Sequence, residues 1–133
     1  MRTMSGAVTI EKVAYAGWPN CNRMSNGEIE LIVTTDVGPR VIRCGFVGGQ
    51  NLFVEITSQL GGSGESKWLM RGGHRLWVAP EIVPETYALD NAPVKAMVND
   101  HSIRLVQPVE PETSLQKELL VTLADDGEVT VNH

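Results

Sequence analysis

Apolar and polar residues alternate with a period of two along much of this chain. That pattern belongs to strands with one face buried. Val8-Thr9-Ile10-Glu11-Lys12-Val13-Ala14-Tyr15 predicts a first strand, and Gly17-Trp18-Pro19-Asn20 has the turn chemistry to end it. Asn22-Arg23-Met24-Ser25-Asn26-Gly27 carries an Asn-Gly pair, a strong local turn signal. Glu28 to Thr34 alternates cleanly, with Ile29, Leu31 and Val33 on one face, until Asp36-Val37-Gly38-Pro39 breaks it. Arg40 to Phe46 predicts the next strand, Gly48-Gly49 its turn, and Leu52 to Ile56 another strand.

The middle of the chain loses this rhythm. Gly61-Gly62-Ser63-Gly64-Glu65-Ser66 reads as a flexible loop, too loose for a phosphate-binding loop and without its Lys-Ser/Thr ending. Trp68 to Pro93 is a long connection rich in Gly, Pro, Trp and Tyr, and such connections often carry function. Strands return at Val94 to Val98 and Ser102 to Val106, flanking Asn99-Asp100. A second hairpin follows, with Leu115 to Leu123 and Glu128 to Asn132 flanking Asp125-Asp126-Gly127. Successive hairpins without a βαβ rhythm predict a mainly β, antiparallel twisted sandwich. The last segment, Glu128 to His133, alternates like a strand and then stops. The expectation is a single β domain over residues 1–133 that forms the N-terminal half of a larger fold.

Composition narrows the function classes. The chain has 133 residues, 42% of them hydrophobic and 20% charged, which suits a globular core and disfavours long disorder. A formal net charge of -5 and the lack of any Lys/Arg run disfavour nucleic acid as a partner. No apolar run reaches the roughly 20 residues of a membrane helix, and Met1 to Ile10 lacks a signal-peptide pattern. Cys21 and Cys44 read as free thiols. A soluble, cytoplasmic protein is expected.

The richest chemistry lies in Arg71-Gly72-Gly73-His74-Arg75-Leu76-Trp77-Val78-Ala79-Pro80-Glu81. Two glycines permit close backbone approach or positive φ. His74, Arg75 and Glu81 supply donors, acceptors and titratable groups, and Trp77 a flat apolar face. A pyranose asks for that mixture: an aromatic plane for its C–H face and fixed polar groups for its hydroxyls. The plainer reading is a core Trp77, a surface Arg75 and a structural His74. His74, His101 and His133 are widely spaced and lack ligand-like neighbours, so no metal site is expected. Glu110, Glu112, Lys117 and Glu118 read as a solvated charged stretch, and Asp125-Asp126 as turn residues.

Four segments occur in an order that resembles the galactose mutarotase-like superfamily, and in particular its aldose 1-epimerase-related, uncharacterised bacterial branch. They are Asn22 to Gly27, Val33 to Arg40, Gly72 to Glu81 and Glu85-Thr86-Tyr87-Ala88-Leu89-Asp90-Asn91. The resemblance covers the chain from about residue 15 onward, as the N-terminal part only of such a fold. It implies a two-sheet supersandwich with a sugar on a concave face, and no cofactor. In the superfamily's epimerases a His acid and a Glu base open and reclose a hemiacetal ring. The resemblance marks His74 and Arg75 as sugar-binding candidates, with Trp77, Asn22, Arg23 and Glu81 beside them. The family's catalytic His and Glu segments have no counterpart here, and His133 is not assigned that role. The expected function is therefore carbohydrate binding, with aldose 1-epimerase-like activity in a full-length protein. The alternatives are a non-catalytic sugar-binding module and a structural protein that forms homo-oligomers through exposed sheet edges.

Overall fold

Where alternation is cleanest the chain forms strands. The computed structural model describes residues 6–133. Those residues form two antiparallel sheets of four strands each, a β-sandwich with almost no helix. The first sheet holds β1 (Thr9–Tyr15), β2 (Trp18–Ser25), β3 (Ile29–Thr34) and β4 (Arg40–Phe46) in chain order. The second holds β5 (Lys95–Val98), β6 (Ser102–Val106), β7 (Glu118–Leu123) and β8 (Val129–Asn132), also in chain order. A long connection, residues 47–94, joins them and contains two short 3-10 turns, Thr57–Gln59 and Glu85–Tyr87.

The core follows from register. Residues opposite each other across a ladder share a face. Met24 lies opposite Leu31, and Val33 opposite Val41. Together they meet Ile103, Leu105, Leu119, Val121 and Leu123 from the second sheet. The opposite face of the first sheet is covered too, so Leu31, Ile32 and Val33 are all buried. There Trp18, Cys21, Ile32, Val37 and Ile42 cluster, and Leu60 of the connection packs over them. A bulge makes this possible. Ile32 pairs with Arg43 and Val33 with Val41, which leaves Ile42 as the extra residue.

Three hairpin turns lie where local chemistry places them. At Asn26-Gly27 the Asn26 Oδ1 accepts from the N–H groups of Glu28 and Ile29 at 2.9 and 2.8 Å, and Gly27 takes φ 89°. At Asn99-Asp100 the Asn99 N–H donates to the Ser102 carbonyl. At Asp125-Asp126-Gly127 the Asp126 Oδ1 accepts from the Glu128 N–H at 3.0 Å.

Four expectations need correction. Trp18 to Ser25 is a strand, because the first turn shrinks to Ala16-Gly17, both at positive φ, and Trp18 is drawn into the second apolar cluster. Leu52 to Ile56 forms no strand: only Glu55 bridges, to Gly72. The Asn51 side chain takes the place of a ladder, accepting from the Cys44 and Phe53 N–H groups and donating to the Ile42 carbonyl. The loop from Gly61 to Ser66 is tethered. The Gly62 carbonyl accepts from the Trp18 indole at 2.7 Å, and the Gly64 N–H donates to the Asn91 carbonyl at 2.7 Å. Glu110 is buried, not solvated. It accepts from Gln107 and Thr113 and pairs with Lys117 at 2.9 Å.

Candidate functional site

The Gly-Gly step builds the site. Arg71, Gly72 and Gly73 all take positive φ (56°, 109° and 78°), a reversal that glycine accepts without a Cβ clash. Gly72 lies against the Val54 carbonyl, where a Cβ would overlap it. His74 then exchanges two backbone hydrogen bonds with Val41, at 2.8 and 2.9 Å. The segment is thereby fastened beside β4, which fixes where Arg75, Leu76 and Trp77 begin.

Arg75 is the centre of an aromatic cluster. Its guanidinium carbon lies 4.5 Å from the Trp68 ring centroid and 4.7 Å from that of Trp77. The two indoles meet edge-on at 5.6 Å, and Tyr87 meets them edge-on at 5.0 and 5.1 Å. Such edge-to-face and cation–π geometry is attractive and directional. Beneath it, Asp90 Oδ2 stands 3.7 Å from Arg75 Nη1 and 2.9 Å from Arg40 Nη2. Arg40 is fully buried and also donates to the carbonyls of Met70 and Gly72. Burial pushes the Arg40 guanidinium down to about 10, with Asp90 opposing, so it stays cationic at neutral pH. At the rim, burial and a hydrogen bond to Glu81 push the Tyr87 phenol above its usual range.

Asp90 also lines a cleft of about 240 Å³ that Gln107 and Glu110 border. Asp90 Oδ1 and Gln107 Oε1 are buried acceptors without a hydrogen-bond partner.

The sequence-derived candidates separate. Arg75 and Trp77 come together, and Glu81 joins them through Tyr87. His74 turns elsewhere: it stacks on Phe53 at 6.3 Å, and its Nε2 lies 3.0 Å from Nε2 of His133. Burial first, then His133, push the His74 imidazole below its usual range. Asn22 is buried on β2, opposite Lys12 and Val33. Arg23 points to the other side of that sheet, with Glu30 at 2.6 Å and Glu11 at 3.3 Å. Arg43 holds the second oxygen of Glu30 at 2.7 Å. Burial raises the Glu30 carboxyl, but the two guanidiniums outweigh it and hold it low. Arg23 is thus an ion-pair residue away from the platform. Trp18 lies in the second apolar cluster, so the three tryptophans do not share one face.

Residue-by-residue reading missed Trp68, Tyr87 and Asp90 as partners of Arg75. The available signal was the aromatic richness of residues 68–93. Both cysteines are free, and burial, aided by Asp36, pushes the Cys21 thiol up to about 11, so it is inert at neutral pH. No helix among the described residues is long and apolar enough to cross a membrane. Comparison with protein-family models, with curated proteins and with solved structures found no match.

Proposed function

We propose that the protein binds a carbohydrate on the platform of Trp68, Arg75, Trp77 and Tyr87. The observation that carries this reading is the Arg75 guanidinium held within 4.7 Å of two indole rings and paired with Asp90. The arrangement fixes an aromatic surface in advance, so little ordering entropy is lost on binding. Its rim presents guanidinium donors, the Tyr87 hydroxyl and the Glu81 carboxylate, which match a ring of hydroxyls. Binding alone is assigned here. Hemiacetal opening needs an acid and a base on opposite sides of one sugar; of the two carboxylates at the platform, Asp90 is paired with Arg40 and Arg75 and Glu81 is bonded to Tyr87.

A sugar-panel titration followed by tryptophan fluorescence tests the reading. Saturable binding is expected, weakened at least tenfold (about 1.4 kcal/mol) in Trp77→Ala and unchanged in His74→Ala. Equal affinity in wild type and Trp77→Ala would remove the platform from consideration.

A second reading, assembly through sheet edges, is favoured by apolar side chains left in solvent. Phe46 is 66% exposed, Leu52 74% and Val54 68%. Val129 of the edge strand β8 lines the same small apolar hollow as Phe46 and Leu52. Such surface is a liability in a monomer. Light scattering at high concentration tests it: assembly expects a multiple of the chain mass that Leu52→Glu dissolves, and the mass of one chain would contradict it.

A further inference from the structure

His74 and His133 are far apart in sequence, yet their Nε2 atoms lie 3.0 Å apart. Each ring is held by its own element. Two backbone bonds to Val41 fasten His74, and Phe53 stacks on its ring. His133 directly follows β8, whose Asn132 pairs with Leu120 of β7. The first nitrogen therefore rides on the first sheet and the second on the second sheet.

We propose that His74 and His133 form a two-imidazole site for a divalent first-row transition metal ion. Nitrogen-to-metal bonds run about 2.0–2.1 Å. Two cis ligands of a square-planar or octahedral ion then stand about 2.9 Å apart, and two of a tetrahedral ion about 3.3 Å. The separation of 3.0 Å suits a cis pair, and the rings, with centroids 5.2 Å apart, face each other nearly head-on, so each must turn for the two lone pairs to converge on one ion. Imidazole is a favoured ligand for nickel, copper and zinc. With both rings neutral, the shared proton must leave the Nε2···Nε2 contact for Nδ1 of its own ring, so that each Nε2 offers a lone pair. No proton is lost from the pair in that exchange. No third His, Cys, Asp or Glu joins them to make a larger cluster among the described residues. Water completes the coordination sphere, and the site stays open to an exogenous ligand. The ion would also tie the two sheets together, adding stability to the folded state alone.

Calorimetric titration with nickel(II) as the probe tests the proposal on wild type, His74→Gln, His133→Gln and His101→Gln. One ion per chain is expected. Affinity falls at least tenfold in His74→Gln and in His133→Gln and is retained in His101→Gln, whose ring instead contacts Asp125. Binding weakens as pH falls through the imidazole range, because protons compete for the same lone pairs. Saturating nickel raises the melting temperature of wild type and not of His133→Gln, whose metal-free melting point matches wild type. Nickel affinity in His133→Gln equal to that of wild type overturns the site, as does the absence of stoichiometric binding to a folded wild-type chain. Either result leaves the carbohydrate platform untouched, since that rests on Arg75 and its aromatic neighbours.

Discussion

Replacing Arg40 by Met lowers the free energy of unfolding by about 3–5 kcal/mol, the scale on which a buried ion pair fails when one partner is removed. Arg40 is fully buried, and Asp90 is 10% exposed. Without Arg40, Asp90 keeps only the longer contact to Arg75 at 3.7 Å, and the carbonyls of Met70 and Gly72 lose a shared donor. A carboxylate left under-compensated in low dielectric is the main cost. The double change Arg40→Met with Asp90→Leu should recover part of the loss, because no charge is then stranded. Urea denaturation measures both. A loss under about 1 kcal/mol in the single variant, the scale of an exposed pair, would mean that Arg40 does not hold the connection together.

The second large effect falls on Gly72. Its φ of 109° is strained for any side chain, and a Cβ would overlap the Val54 carbonyl. Strain of this kind costs about 1–3 kcal/mol, and forced overpacking about as much again. Gly72→Ala should therefore cost at least about 2 kcal/mol. The displaced backbone also carries the carbonyl that Arg40 uses and precedes the His74 anchor on β4. Gly72→Ala should thus disturb Arg75 and Trp77 as well as stability. Denaturation and near-ultraviolet circular dichroism read the two consequences. A stable Gly72→Ala variant with an unchanged aromatic spectrum would show that the Gly-Gly step is dispensable.

How much of this was legible depends on distance in the chain. The hairpins at Asn26-Gly27, Asn99-Asp100 and Asp125-Gly127 are local events, and their turn residues announce them. Alternation in β7 gives the core face directly, with Leu119, Val121 and Leu123 buried. Trp18 reads as a turn residue but lies in a strand, held by a tertiary partner, the Gly62 carbonyl, that no local pattern reveals. Leu52 to Ile56 reads as a strand by propensity, but the Asn51 side chain claims the neighbouring backbone groups first. Glu110 reads as solvated by composition and is buried because Gln107, Thr113 and Lys117 satisfy it. The candidate site shows the same limit. Residue types gave Arg75 and Trp77, while their meeting with Trp68, Tyr87 and Asp90 required the fold. His74 and His133 meet only because the two sheets pack face to face.

The platform makes a claim that one spectrum can address. The chain has three tryptophans, and each indole N–H gives its own signal in a ¹H–¹⁵N correlation experiment. Trp18 serves as an internal control, because its N–H is bonded to the Gly62 carbonyl inside the second cluster. Titration with the tightest-binding sugar should shift the Trp68 and Trp77 indole signals along one saturable curve and leave Trp18 in place. Shifts confined to Trp18, or no indole shift under a sugar that binds elsewhere on the chain, would contradict the carbohydrate platform.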